Sequence, residues 1–369
     1  MLSWIYRIAL LPFAIAVIVF QRKFFPVTMF TGETRPPLAT MIMVPTALTA
    51  AIAYIIWSKR QRNLAVKFCS IRKDLAGQVA IITGANCGLG LETAVHIASM
   101  GSQVVLACRD FERAKELSGR FDAETPVLDN LAVMHLDLSR LASVETFASE
   151  FKEKYKRLDL LVNNAGIMNA PYELSADGIE MHFATNHLGH FHLTNLLADI
   201  LASTPDSRVI TVTSGYYLKT SGDGTEENFA DELLKSTSTP RNYDGTLAYA
   251  RSKYANCLHV HELAKRFKSR GISVYAVRPG FVRGTELGRH WSAVARFLST
   301  PLVWYVSRSP HQGVQTILHC CLTDQGELKS GSLYNNCEHN IYAPILVNDR
   351  HSRALWEYSN HLVHEALKS

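Results

Sequence analysis

The stretch Val79-Ala80-Ile81-Ile82-Thr83-Gly84-Ala85-Asn86-Cys87-Gly88-Leu89-Gly90 constrains this chain more than any other, because a short apolar run meets a cluster of glycines there. Val79 to Ile82 has no polar face, as a strand covered on both sides in a parallel sheet requires. Gly84, Gly88 and Gly90 let the backbone turn and approach an anion, and Leu89 to Met100 continues at helical spacing. A helix opening at such a turn offers unpaired N–H groups and the positive end of its dipole. The whole reads as a seat for the pyrophosphate of a dinucleotide, with Asn86 and Leu89 in the same turn. A tight strand-to-helix turn with no ligand is the plainer alternative, and the rest of the chain has to decide between them.

From Gly77 onward, strand and helix patterns alternate. Gln103 to Ala107, Ala132 to His135, Leu158 to Val162, Arg208 to Thr213 and Ser273 to Val277 read as strands. Asp110 to Arg120, Leu141 to Lys156, a stretch around Gly178 to Ala202, and Ala248 to Ser269 read as helices. A βαβ series with right-handed crossovers predicts an α/β fold with a doubly wound parallel sheet of the Rossmann type. Ser221 to Asp244 is polar and turn-rich, an inserted surface loop. Arg353 to Leu367 reads as a closing helix without chemistry.

Ahead of this domain, 2–20 and 38–57 are apolar segments that approach the roughly 20 residues needed to cross a bilayer. The first lacks the small residues of a signal-peptide cleavage site, so it reads as an uncleaved anchor that spans or lies shallowly. The chain of 369 residues is thus divided into a membrane anchor (1–57), a basic juxtamembrane linker (58–76) and a catalytic domain (77–369). The formal charge of +5 owes much to Lys59, Arg60, Arg62, Lys67, Arg72 and Lys73. These flank the second apolar segment and predict that the domain faces the cytosol, not that it binds nucleic acid. The seven cysteines are scattered and never form a Cys-x-x-Cys pair, so reduced thiols are expected.

The chemistry is carried by residues at the ends of the strands. Arg109 follows the second strand, where the adenosine ribose of a bound dinucleotide lies. A guanidinium there suits a 2′-phosphate, so NADP(H) is preferred, with NAD(H) as the alternative. Asp137, after the third strand, could accept from the adenine amino group or cap the next helix. Asn163-Asn164-Ala165-Gly166 supplies small residues where the chain must pass close to a cofactor, or else forms a plain turn. Tyr249 and Lys253 stand four apart, on one face of a predicted helix, with Ser214 at a strand end before them. A neighbouring ammonium and an oxidised nicotinamide would favour the Tyr249 phenolate, which could then exchange a proton with an alcohol oxygen held by Ser214.

Taken in order, the glycine turn, Asn-Asn-Ala-Gly, Ser214 and Tyr249-Ala-Arg-Ser-Lys253 resemble the short-chain dehydrogenase/reductase family from Gln78 to about Tyr334. The resemblance implies a tetrad of Asn186, Ser214, Tyr249 and Lys253, with Asn186 bending its helix and holding a water that links Lys253 to solvent. It also implies that Arg278-Pro279-Gly280-Phe281-Val282 is the turn that positions the nicotinamide carboxamide, through Pro279, Gly280, Val282 and a nearby threonine. Thr285 is the nearest, displaced by the extra Gly284. Ala107-Cys108-Arg109-Asp110, Asn186-His187-Leu188-Gly189-His190-Phe191 and Thr285-Glu286-Leu287-Gly288-Arg289-His290 are similar to the retinol dehydrogenase-like subgroup. These enzymes are often membrane-anchored and NADP(H)-preferring.

His182, His187, His190 and His192 crowd one region, but their spacing spreads them over several helix faces and predicts packed or hydrogen-bonding rings, so no metal site is expected. Trp291 to Val306 reads either as an apolar lid at the bilayer or as a buried helix. The expectation is a membrane-anchored oxidoreductase on the endoplasmic reticulum or another organelle, interconverting a hydrophobic alcohol and its aldehyde or ketone, retinal-like or another lipid carbonyl. A steroid, sphingoid or polyprenoid reductase is the near alternative, and a non-catalytic nucleotide-binding scaffold the distant one. The expected partners are the small hydrophobic substrate, the lipid bilayer and a second copy of the chain in a homodimer.

Overall fold

The parallel sheet is built from strands that are apolar on both faces, and its register fixes where chemistry can occur. A computed structural model of the chain describes residues 38–110, 128–220, 241, 243–283, 300, 303–341 and 347–368, with the side chains of 38–48 and 128 outside the description. The chain divides into two compact units, Met1–Ala65 and Val66–Ser369. In the first, helix α1 (Leu38–Leu64) is 27 residues long and exposes Tyr54, Ile55, Ile56 and Trp57. The expected segment 2–20 lies outside the described residues, as do the side chains of the first half of 38–57. Among the described residues no helix is long and apolar enough to cross a membrane.

In the second unit, β1 (Val79–Thr83), α2 (Gly88–Ala98), β2 (Gln103–Cys108), β3 (Leu131–His135), α3 (Leu141–Lys154) and β4 (Leu160–Asn163) form the first half of the sheet and its crossovers. The expected helix Asp110–Arg120 falls outside the described residues beyond Asp110. The second half has α4 (Met181–Phe183), a π-turn (Ala184–Leu188), α5 (Gly189–Leu196), α6 (Ala198–Ser203), β5 (Arg208–Val212), α7 (Gly245–Phe267) and β6 (Ser273–Arg278). It closes with α8 (Pro310–Gly313), α9 (Gln315–Leu322), β7 (Ser332–Asn335), β8 (Glu338–Asn340) and α10 (Asp349–Lys368). The sheet is eight-stranded, in the order β3-β2-β1-β4-β5-β6-β7-β8, and only β8 runs antiparallel. Reversal of strand order between β1 and β4 opens the crevice where such sheets bind ligands.

Strand β1 shows why the sheet is doubly covered. Val79 and Ile81 join a core with Phe147, Phe151, Phe191 and Leu258, while Ala80 and Ile82 join a second core with Leu89, Ile97, Ile317 and Leu318. Ile81 and Ile82 are fully buried, and each contributes roughly 1.5–3 kcal/mol relative to exposure. Four differences from the sequence reading stand out. The strands β7 and β8 were unforeseen, because they are only four and three residues long. The helix expected around 178–202 is broken by the π-turn, and α10 begins at Asp349 rather than 353. The basic linker is part of the second unit from Val66 on: Lys67 pairs with Glu338, Lys73 with Asp324, and Cys69 N–H donates to Gln315 Oε1 at 3.0 Å. None of the seven cysteines is disulfide-bonded.

Candidate active site

The glycine turn leaves no room for side chains. Gly84 sits at φ +63°, and a Cβ there would meet Ala165 Cα at 2.9 Å. A Cβ on Gly90 would lie 2.4 Å from Gly84 O and 2.6 Å from Asn164 Nδ2. Cys87, at the N-cap of α2, makes no side-chain capping bond, so the first N–H groups of the helix are not claimed by a capping side chain. Bare backbone, a close turn and an open helix N-terminus are what a pyrophosphate needs. The residues present therefore fit a dinucleotide.

Thr83, the last residue of β1, ties this turn to the next strand end. Its hydroxyl oxygen accepts from Asn164 N and Ala165 N, each at 2.9 Å, and Asn164 Nδ2 donates to Thr83 O at 2.8 Å. His190 Nε2 stands 2.8 Å from the same hydroxyl, and His190 Nδ1 stands 3.0 Å from Asn186 O. A carbonyl can only accept, so Nδ1 carries the proton and Nε2 takes the hydrogen of Thr83. Burial pushes the His190 imidazole down to about 3, with the Asn186 carbonyl opposing and Lys253 reinforcing, so the ring is neutral. Thr83 and His190 thus lock the ends of β1 and β4 to the π-turn and the start of α5. Sequence reading missed Thr83, although a threonine just before a glycine turn was a visible signal, and it expected His190 to be packed or hydrogen-bonded without naming these partners.

The four residues expected to act together are brought together. Asn186 lies inside the π-turn, a local widening that recurs at functional sites, and is fully buried. Its Oδ1 accepts from Ile167 N at 2.8 Å, while Nδ2 donates to Ile167 O at 3.0 Å and to Ser252 Oγ at 2.8 Å. The space beside Gly166 is bounded by Asn186 Oδ1 and Lys253 Nζ, which a Cβ there would meet at 3.2 and 3.4 Å. Lys253 Nζ donates to Val212 O at 2.9 Å and stands 6.0 Å from the centroid of the Tyr249 ring. Tyr249 and Lys253 share one face of α7, as their spacing required. Ser214 begins the short turn after β5 and is hydrogen-bonded to Tyr249.

Burial dominates the electrostatics of the protein alone. Burial pushes the Tyr249 phenol up to about 12, against the lowering effect of the Ser214 hydrogen bond and with a further push from Tyr216. Burial also lowers the Lys253 ammonium to about 8. In the protein alone Tyr249 is therefore a neutral phenol at pH 7. The phenolate expected beside an oxidised nicotinamide is thus not a property of the protein alone, where desolvation is the largest influence on the ring.

Several remaining predictions lie nearby. Arg109 is exposed at the carboxyl end of β2. Asp137 Oδ1 accepts from Ser139 N at 3.0 Å and Ser139 Oγ at 2.6 Å, while the first N–H of α3 is taken by Asp177 Oδ2 at 3.0 Å. Asp137 therefore shapes the turn before α3 and leaves the capping of that helix to Asp177. Pro279 O accepts from Arg308 Nη1 at 3.3 Å, Val282 bridges Arg308 in parallel, and Gly280 has φ +83°. Asn86 is partly buried and Leu89 buried in the turn. Thr285 and most of Trp291–Val306 lie outside the described residues, as does 221–240 of the expected loop.

The remaining histidines of the 182–192 run are buried, and His182 and His187 are hydrogen-bonded. His187 Nε2 meets Ser359 Oγ of α10 at 2.9 Å, and burial holds its ring well below the ordinary histidine range. His192 Nε2 is 3.7 Å from Glu145 Oε1. His182 Nδ1 meets the buried Glu180 Oε1 at 2.8 Å, where Tyr243 O–H also donates at 2.7 Å. Burial pushes Glu180 up, yet the bonds from His182 and Tyr243 outweigh it and hold the carboxyl below its ordinary value. This carboxylate was overlooked because it precedes the histidine run by two residues and reads as an ordinary helix-start acid.

A family model described as short chain dehydrogenase matches residues 78–224. The chain is 39% identical to retinol dehydrogenase 11 of Mus musculus, over 84% of this chain and 93% of that protein. It is 33% identical to retinol dehydrogenase 14 of Homo sapiens, over 86% and 97%. Among solved structures, an uncharacterised protein from Mycobacterium paratuberculosis is similar with a TM-score of 0.60 and 28% identity, over 79% of this chain and 96% of that one. The Pseudomonas aeruginosa RhlG/NADP active-site complex shares the fold, with a TM-score of 0.54 and 23% identity over 71% and 95%.

Proposed function

Because the chain belongs to the short-chain dehydrogenase/reductase family and is retinol dehydrogenase-like within it, we propose that it interconverts a hydrophobic alcohol and its aldehyde or ketone, retinoid or another lipid carbonyl, with NADP(H). The observation that carries the reading is the convergence of Asn186, Ser214, Tyr249 and Lys253 in the same domain as a glycine turn that leaves no room for side chains.

Gly84, Gly88, Gly90, Asn164, Ala165 and Gly166 would hold the dinucleotide, with Asn86 and Leu89 in the turn and Pro279, Gly280 and Val282 at the nicotinamide end. When bound, this cofactor supplies or accepts a hydride. Ser214 fixes the substrate oxygen, and Tyr249 exchanges a proton with it. The Lys253 ammonium and Asn186 flank the space beside Gly166, a route by which Tyr249 can be reprotonated.

Arg109, exposed at the end of β2, is the residue assigned to the 2′-phosphate and hence to NADP preference. The apolar segments 2–20 and 38–57 are read as a membrane anchor that keeps the domain on the cytosolic side of an organelle membrane, where a lipid substrate is concentrated. The exposed Tyr54, Ile55, Ile56 and Trp57 of α1 support that reading. The test is oxidation of NADPH and of NADH by the detergent-solubilised full chain, with retinal, a long-chain aldehyde, a steroid ketone and a polyprenal as substrates. Turnover of one of them that disappears in Tyr249→Phe supports the reductase. No turnover across the set, with NADPH binding intact, would return the weight to a scaffold role.

A further inference from the structure

We propose that Glu92, His96 and His311 form a binding site for a divalent transition-metal ion of the zinc class, outside the catalytic tetrad. One ligand atom from each of these residues lies within 4.8 Å of the others. Glu92 and His96 are four apart on α2, so both project from one face of the helix. His311 comes from α8, more than 200 positions along the chain, and its Nδ1 stands 3.2 Å from Glu92 Oε1. The two imidazole rings are 5.4 Å apart between centroids.

The supports of this cluster suit a metal site. His96 Nδ1 lies 2.8 Å from Glu92 O, and since a carbonyl only accepts, Nδ1 carries a proton and Nε2 is the nitrogen left to face an ion. Hydrogen bonding of one ring nitrogen to a backbone carbonyl is how metal-ligating histidines are oriented. Helix α8 is held by a capping box between Ser309 and Gln312, and Gln315 Nε2 donates to His311 O at 2.7 Å. Phe68 packs on His311 with ring centroids 5.8 Å apart. Zinc bonds of about 2.0–2.1 Å place tetrahedral ligand atoms roughly 3.4 Å from one another, so closing the set takes movements of about 1 Å. His311, whose side chain is 57% exposed, is free to make them.

Two imidazoles and one carboxylate select a borderline ion such as Zn²⁺ over Mg²⁺ or Ca²⁺, with water completing the shell. The ion would staple α8 to α2, the helix whose N-terminus opens at the glycine turn. The test uses the tag-free full chain in detergent. Added Zn²⁺ raises the melting temperature by about 5 °C at a hundredfold excess over Kd, Mg²⁺ leaves it unchanged, and Co²⁺ develops visible d–d bands. His311→Ala and Glu92→Gln, both at accessible positions, abolish these responses while keeping the metal-free melting temperature. Zn²⁺ shifts and Co²⁺ bands that persist unchanged in both variants, or an equal shift with Mg²⁺, would overturn the site.

Discussion

The two halves of the sheet make one functional edge by opposite means. Between β1 and β2 the edge is built from what is missing: glycines whose Cβ atoms would collide with backbone, and a helix N-terminus without a capping side chain. Between β4 and β6 it is built from what is buried: a phenol, an ammonium, an amide and a neutral imidazole, each held in place by named hydrogen bonds. The cofactor half is thus sensitive to added volume and the catalytic half to altered charge. Thr83 joins the two, since its hydroxyl serves the turn, the Asn164 segment and His190 at once.

The largest effect separates the halves. Tyr249→Phe removes only the phenolic oxygen, so turnover falls about 10³-fold while cofactor affinity, followed by NADPH fluorescence, stays within a factor of two or so. An equal loss of both would end the distinction. Gly90→Ala is the converse. Its methyl meets Gly84 O and Asn164 Nδ2, so cofactor affinity drops roughly a hundredfold with little change in the tetrad. A Gly90→Ala protein that binds NADPH normally would mean that the turn has slack the structure does not show.

The third test uses pH. Lys253 is held at about 8, below its ordinary 10.5. Turnover that needs the ammonium therefore falls above pH 8, by up to about tenfold per pH unit. Stability moves the other way. Between pH 8 and 10.5 the unfolded chain binds this proton more than the folded one does, so the cost of burying the charge is greatest below pH 8 and is released as pH rises. Lys253→Met, of similar shape, should accordingly be more stable than wild type at pH 7, with the advantage shrinking by pH 10. A gap in melting temperature that does not change with pH would remove Lys253 as the cause.

How much of this was legible depended on whether a residue's role is local. The strands β1 to β6 could be read because they are short, mainly apolar runs that alternate with helical patterns, and Tyr249 with Lys253 because helical spacing fixes their shared face. The partners of Thr83 and His190 lie 81, 82 and 107 positions apart along the chain, and no periodicity reports such distances. Burial was the other hidden quantity. The phenolate expected for Tyr249 follows from an ammonium and an oxidised nicotinamide beside it, whereas the phenol held near 12 in the protein alone follows from how completely the ring is enclosed. Asp137 shows the same limit in small: two roles fitted the sequence, and Asp177, brought in from 36 positions beyond Leu141, supplied the cap.

The smallest expected effect tests whether the cofactor half carries any charge selectivity at all. Arg109 is the one residue of that half assigned a role through its charge, and it is exposed. An exposed guanidinium on a doubly charged phosphate competes with water and salt, which limits its contribution to about 1 kcal/mol. Arg109→Ala should therefore raise the Kd for NADPH about fivefold and leave that for NADH unchanged, and the difference should shrink at high salt. Equal weakening of both nucleotides would mean that Arg109 supports the end of β2 rather than reading the ribose. The cofactor half would then be a seat for pyrophosphate alone, with nucleotide preference set elsewhere.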